Sequence, residues 1–118
     1  MEELKVKISV KILPKDYSCD GQDRSPEIEV GGVNTKISKS LAIIVNDPDA
    51  PDSGGFIHWI AWNVELVRMI PENIPKTPFV TFPLKAVQGI NSFLKIGYNG
   101  PCPPRGQTHR YFFKVYGL

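Results

Sequence analysis

The stretch Leu-Lys-Val-Lys-Ile-Ser-Val-Lys-Ile, at residues 4–12, alternates apolar and polar side chains without a break. A period of two places the apolar side chains on one face of a β-strand and leaves the other face to water. Two further stretches, 41–45 and 57–64, are almost entirely apolar, which predicts central strands buried on both faces. Shorter strands are predicted at 28–30, near Thr81, at 93–96 and at 110–116.

Eleven prolines and ten glycines are spread through the chain and argue against long helices. They concentrate in two irregular loops, at 47–55 and 98–107, while the four prolines of 71–83 indicate a surface connection or an edge. Several short strands separated by such residues are typical of a β-sandwich or barrel. We therefore predict an all-β fold, with residues 1–118 forming a single domain.

The composition narrows the function classes. A chain of 118 residues with 42% apolar side chains can bury a real core, which excludes a disordered protein. The net charge is only +2 and there is no basic run, so nothing points to nucleic acid as a partner. The sequence shows neither a secretory signal nor an apolar stretch long enough to cross a bilayer. We expect a cytoplasmic protein that is not integral to a membrane.

The two histidines share one context, because His58 directly follows the first loop and His109 directly follows the second. Either one alone is better interpreted as an ordinary strand-end residue, but the shared context favours a binding site on rigid loops. A carboxylate such as Asp47 would favour a cationic imidazole that donates to a phosphate or carboxylate ligand. Amides around Gly100 could add donors, and Tyr111 shares a strand face with His109. Turn formation by Asp47 and core packing by Tyr111 are the structural alternatives.

Other chemistries fit the sequence less well. The spacing of the histidines matches no local zinc signature, so no metal is expected. The sequence has no Gly-x-Ser-x-Gly nucleophile motif and no phosphate-binding glycine loop, so no cofactor is expected either. We expect no enzymatic activity, and a hydrolase that uses Asp47 with the histidines is the enzymatic alternative.

Two blocks of the sequence resemble the signature blocks of the phosphatidylethanolamine-binding protein family. The first is Asp-Pro-Asp-Ala-Pro at 47–51 with Gly-Phe-Ile-His-Trp at 55–59. The second is Gly-Pro-Cys-Pro-Pro at 100–104 with Gly-Gln-Thr-His-Arg-Tyr at 106–111. Weaker matches lie at 17–21, 25–27, 88–91 and 116–118. The resemblance implies an antiparallel β-sandwich with Greek-key connections and a pocket for phospholipid head-group phosphates or other small anions.

The resemblance also assigns individual residues to this pocket. It implies an aspartate at the base, two histidines, a backbone donor, a tyrosine on the wall and, at the rim, a phenylalanine where some members carry a tryptophan. These positions are Asp47, His58, His109, Gly100, Tyr111 and Phe56. We therefore expect a binding protein for small phosphorylated or carboxylated ligands, with a possible regulatory role. Because family members are also described as kinase-pathway regulators and serine protease inhibitors, inhibition of a protease or kinase through a surface loop is the alternative.

Four further expectations concern the C-terminal end, a second subunit, the cysteines and the prolines. Family members usually continue into C-terminal helices that pack near the pocket, so a chain ending at Leu118 is expected to have a more open pocket. A second subunit is one way of covering the exposed apolar surface, as in a homodimer. Cys19 and Cys102 lie in shared blocks, but without a secretory signal we expect two free thiols. At least one peptide bond before Pro48, Pro51, Pro103 or Pro104 is expected to be cis.

Overall fold

The computed structural model describes residues 2–8, 17–19, 21–49, 55–102 and 111–118. Within these residues the regular structure is β-strand, and no α-helix is present. The strands are β1 (Glu2–Ile8), β2 (Ile28–Gly31), β3 (Leu41–Asp47), β4 (Phe56–Val64), β5 (Met69–Ile70), β6 (Phe79–Val80), β7 (Ala86–Gln88) and β8 (Phe112–Gly117). In the described part of the chain, no helix is long and apolar enough to cross a membrane.

The strands are hydrogen-bonded in the order β5-β2-β1-β8-β3-β4-β7-β6. Every pairing is antiparallel. The last strand, β8, lies between β1 and β3, so the residue before it, Tyr111, comes to the end of β3 where Asp47 lies. This arrangement confirms the predicted antiparallel all-β class, while the sandwich with Greek-key connections stays a prediction.

The core forms along the two central apolar stretches that the sequence identifies. In β3 the side chains alternate between fully buried and half-buried, so the prediction of burial on both faces is correct for one face and only partly for the other. Trp59 of β4 is buried, packs edge-on against Tyr98 with ring centroids 5.8 Å apart, and donates from Nε1 to Gln88 Oε1 at 2.7 Å. The indole N–H is therefore satisfied in the interior.

Several predicted boundaries differ from the structure. The first strand is described as far as Ile8, and its predicted continuation at 9–12 lies outside the described residues. The strand predicted at 93–96 is wrong, because residues 90 and 96 form only an isolated bridge around a turn in which Leu94 has a φ of 63°. The edge predicted within 71–83 is confirmed, since β6 ends the sheet.

The expectation of two free thiols is wrong. Cys19 and Cys102 form a disulfide across a sequence separation of 83 residues, with their Cα atoms 5.4 Å apart. The Cys19 N–H donates to the carbonyl of Pro101 at 3.2 Å, so the two backbones already run side by side at this point. The free-thiol expectation depended on the redox state of a compartment, whereas the fold brings the two cysteines within the usual Cα range for a bridge.

Within the described residues, the expectation of a cis peptide bond is tested only at Pro48. The peptide bond between Phe82 and Pro83 is cis, and the bond before Pro48 is not. The bonds before Pro51, Pro103 and Pro104 lie outside the described residues.

Candidate functional site

His58 occupies an irregular position in β4. Val45 of β3 pairs with Trp59, and the next residue, Asn46, pairs with Ile57, so that His58 is the extra residue of a β-bulge. A bulge bends the strand and re-aims a side chain, and bulges are common beside functional sites. The imidazole is buried, with 4% of the residue exposed.

The hydrogen bond of His58 fixes its tautomer. Nδ1 lies 2.7 Å from the backbone oxygen of Asn99, and the N–H of Asn99 donates back to the carbonyl of His58 at 3.1 Å. A carbonyl oxygen only accepts, so Nδ1 carries the proton. The other nitrogen, Nε2, is then an acceptor when the ring is neutral and a second donor when the ring is protonated.

Three aromatic rings surround this imidazole. The ring centroids of Phe56, Phe93 and Tyr111 lie 5.2, 5.5 and 5.3 Å from that of His58. Phe56 and Phe93 also contact each other edge-on at 4.7 Å. The rings exclude water from the imidazole, and desolvation disfavours its charged form.

The carboxylates of Asp47 and Asp49 influence the pKa values of the groups at this site. Asp47, the last residue of β3, is 3% exposed, and its Oδ1 accepts the N–H of Asp49 at 2.8 Å. Burial lowers the pKa of His58, although the Asn99 carbonyl and the negative charge of Asp47 act in the opposite direction. Burial, reinforced by Asp47 and Asp49, raises the pKa of Tyr111 to about 12. The Tyr111 hydroxyl therefore keeps its proton at neutral pH.

The loop that carries Asn99 is held from the other side by Asp23. The Asp23 carboxylate accepts the N–H of Gly100 at 2.6 Å and the side-chain amide of Asn99 at 2.8 Å. Lys76 lies 3.4 Å from the same carboxylate. Asp23 adopts a φ of 55°, a conformation that a non-glycine residue rarely occupies without a structural reason. Asp23 thus positions the backbone on which His58 depends.

Gly100 has a different role from the one expected. Its amide donates to Asp23 within the protein, so the sequence-based expectation of a donor available to a ligand is not met. A side chain at this position would overlap the backbone oxygen of Tyr17, and that oxygen also accepts the hydroxyl of Tyr98 at 2.7 Å. The absence of a side chain lets the two loops approach each other closely.

Asn91 holds the backbone at Phe93. Its side-chain amide donates to the carbonyl of Gly97 at 2.9 Å and to Asn99 Oδ1 at 2.8 Å. Its Oδ1 accepts the N–H of Phe93 at 2.8 Å. A single buried side chain therefore links the turn that carries Phe93 to the loop whose Asn99 carbonyl accepts the hydrogen bond from His58 Nδ1.

The structure brings four of the six predicted site residues together, namely Asp47, Phe56, His58 and Tyr111. Gly100 lies next to them on the Asn99 loop, and His109 lies outside the described residues. The sequence analysis missed four residues whose hydrogen bonds or ring contacts hold the site in place: Asp23, Asn91, Phe93 and Asn99. Of these, only Asn91 falls in a block singled out for its resemblance, and Asp23 carries no such signal. The described residues contain no group of three or more His, Cys, Asp or Glu side chains suited to a metal ion.

Comparisons with known proteins identify related sequences along nearly the whole chain. The model of the phosphatidylethanolamine-binding protein family matches residues 6–118. A UPF0098 protein of Archaeoglobus fulgidus is 57% identical over 106 residues, which cover 90% of this chain and 36% of that protein. A UPF0098 protein of Pyrococcus horikoshii is 49% identical over 123 residues, which cover 99% of this chain and 61% of that protein. The chain thus spans less than two thirds of the length of these two relatives.

Two solved structures have the same fold. The crystal structure of Escherichia coli YbcL, described as a new member of the mammalian phosphatidylethanolamine-binding protein family, has a TM-score of 0.84 and 34% sequence identity. That match covers 98% of this chain and 77% of YbcL. A homologue of phosphatidylethanolamine-binding protein from Chlamydia trachomatis has a TM-score of 0.79 and 35% identity, covering all of this chain and 76% of that one.

Proposed function

Because the chain belongs to the phosphatidylethanolamine-binding protein family, we propose that it binds a small phosphorylated or carboxylated ligand beside His58. The observation that carries this proposal is the buried imidazole in the β-bulge, whose Nδ1–H is bonded to the Asn99 carbonyl. We propose that the second nitrogen of this ring, Nε2, is the atom that meets the ligand. Protonated, it offers an anion a charge-assisted donor in a place with little water.

Proton uptake follows from the electrostatics of the site. Burial lowers the pKa of His58, so the ligand-free ring favours its neutral form. An approaching anion supplies the opposite charge that burial removed, and it raises the pKa of the ring. Tyr111, with a pKa near 12, adds no negative charge at neutral pH. Binding is therefore coupled to protonation, and it weakens as the pH rises, apart from the ligand's own titration.

Two other residues complete the proposal. The family resemblance assigns His109 to the same pocket, and we propose it as a second cationic donor. Gly100 contributes the close packing of its loop rather than its amide. Since phospholipid head groups and free phosphate esters share the same phosphate chemistry, either source suits this site, and a regulatory role follows if binding alters a partner surface. We propose no enzymatic activity.

Isothermal titration with inorganic phosphate and with phosphorylethanolamine tests the proposal. We expect binding to the wild type, and a loss of about 10- to 100-fold in affinity for His58→Gln or His109→Ala, the range for a hydrogen bond to a charged group. Lys36→Ala, which removes an exposed cation from a turn after β2, is the matched control and keeps wild-type affinity. Equal affinity in all four proteins would refute the site.

Inhibition of a protease or kinase through a surface loop stays a second prediction. It differs from anion binding in one measurable way. An inhibitor that acts through a loop keeps its potency in the His58→Gln protein, whereas a function that depends on the pocket does not.

A further inference from the structure

We propose that the Cys19–Cys102 disulfide regulates the site, because its reduction releases the 98–102 loop that holds His58 and weakens anion binding. This inference rests on the proposed function, since it concerns the same site. The reductant is a dithiol, such as a protein of the thioredoxin type. Its two sulfurs become a disulfide, and the two electrons and two protons they give up convert Cys19 and Cys102 to thiols.

The bridge is placed where a reductant can reach it. Both cysteines are exposed to solvent, although the loops that they join pack against the interior through Tyr17 and Tyr98. Exposed disulfides are the labile and regulatory ones, whereas buried bridges resist exchange. The disulfide is therefore accessible to a reductant, although the loop that it anchors contacts the buried His58.

The bridge and the imidazole act on the same short loop. Cys102 is three residues from Asn99, whose carbonyl accepts the His58 Nδ1–H and whose N–H donates to the His58 carbonyl. A shift of this loop removes the acceptor of the Nδ1 proton. It also opens a route for water to a ring whose pKa burial lowers. The redox state of the bridge is thus linked to the protonation and orientation of His58.

Besides the bridge and the bond from the Asn99 side-chain amide to Asp23, three hydrogen bonds between described residues join the same two segments. They run from Cys19 N–H to the Pro101 carbonyl at 3.2 Å, from Tyr98 hydroxyl to the Tyr17 carbonyl at 2.7 Å, and from Gly100 N–H to Asp23 at 2.6 Å. They hold the loop in place for part of the time after reduction, so we expect local opening rather than unfolding. If the closed loop is populated about one tenth of the time, apparent affinity falls about tenfold.

Nitrogen-15 NMR of the two histidines and titration with inorganic phosphate test this coupling. In the oxidised protein, His58 shows a fixed Nδ1–H tautomer, identified by comparison with the His58→Gln spectrum. Reduction with dithiothreitol should average the tautomers, move the pKa of His58 towards its ordinary value, and weaken phosphate binding about tenfold. Reoxidation should restore all three properties. The Cys19→Ser/Cys102→Ser protein should match the reduced form and ignore dithiothreitol.

Each outcome decides the proposal. Equal phosphate affinity in the oxidised and reduced folded proteins overturns it, and so does an unchanged His58 tautomer. Failure of phosphate to bind either form refutes the proposed function, while a tautomer that changes with reduction still supports the coupling. A reduced protein that loses its near-ultraviolet circular dichroism has unfolded, which overturns a local switch.

A second variant tests the mechanical link with the bridge intact. Asp23→Asn weakens the acceptor of the Gly100 N–H and the Asn99 side-chain amide, and it should average the His58 tautomers as reduction does. The tautomer is the readout, because the negative charge of Asp23 itself raises the pKa of His58. A His58 signal unchanged by Asp23→Asn would overturn the link between the loop and the imidazole.

Discussion

Removing the disulfide should lower the stability of the protein by a large and calculable amount. The bridge between Cys19 and Cys102 encloses a loop with a sequence separation of 83 residues. Closing a loop of this length costs the unfolded chain about 15 cal/mol/K of entropy, which corresponds to about 4.5 kcal/mol at 25 °C. A small domain has only about 5–15 kcal/mol of net stability, so the loss is a substantial part of the total.

The melting temperature translates this figure into an observable. An unfolding entropy of about 0.25 kcal/mol/K for a chain of this length gives a decrease of about 15–20 °C. We would measure thermal and guanidinium unfolding of the wild type, the reduced wild type and Cys19→Ser/Cys102→Ser. Because both cysteines are exposed, the serine hydroxyls themselves should cost little. A loss below about 1 kcal/mol in both altered proteins would refute the claim that the bridge stabilises the native fold by constraining the unfolded chain.

Three further predictions concern the loop and the imidazole. Asp23→Ala leaves the Gly100 N–H and the Asn99 side-chain amide without their half-buried acceptor, so guanidinium unfolding should show a loss of about 1–3 kcal/mol, with wild-type stability contradicting this role. Gly100→Ala places a methyl group against Tyr17 and should also cost about 1–3 kcal/mol in the same assay, whereas an unchanged midpoint would show that the loops adjust freely. Because burial lowers the pKa of His58, the unfolded chain takes up a proton near pH 6.5 before the folded chain does. The stability that His58 contributes is therefore complete above that pH and is lost as the pH falls through the folded pKa, despite the opposing charges of Asp47 and Asp23. The free energy of unfolding of His58→Gln should fall less steeply between pH 7 and 5 than that of the wild type. An equally steep fall in both proteins would assign the pH dependence to other groups.

The pattern of apolar and polar residues in the sequence predicted most of the fold. Alternation in the first strand and the two apolar stretches predicted β1, β3 and β4 because burial of one or both faces leaves a periodic trace in the sequence. The two-residue strand β5 is too short to leave such a trace, whereas β6 lies beside Thr81, where a short strand was predicted, and the surrounding prolines indicated an edge. The turn at 90–96 was mistaken for a strand because Ile90 and Leu94 are apolar but exposed, so their hydrophobicity does not mark a sheet face.

Only part of the site was predicted, because only some of its features leave a trace in the sequence. His58 and Asp47 stand out because histidine and aspartate beside rigid loops carry chemistry that the sequence displays. The β-bulge at His58 depends on the register between two strands, and register is set by the whole sheet. Asp23 lies far away in sequence, and only the folded chain shows that its carboxylate holds the Asn99 loop. Likewise, the disulfide depends on a contact across 83 residues that spacing alone does not reveal.

The most direct test of the proposed function is the pKa of His58 with and without phosphate. Nitrogen-15 NMR across pH 4–9 would give the ring's titration in the ligand-free protein and in saturating inorganic phosphate, with His58→Gln used to assign the signals. We predict a pKa below the ordinary 6.5 without phosphate and a clear rise in its presence, with Nδ1 protonated throughout. A His58 titration that phosphate leaves unchanged would contradict anion binding at this imidazole.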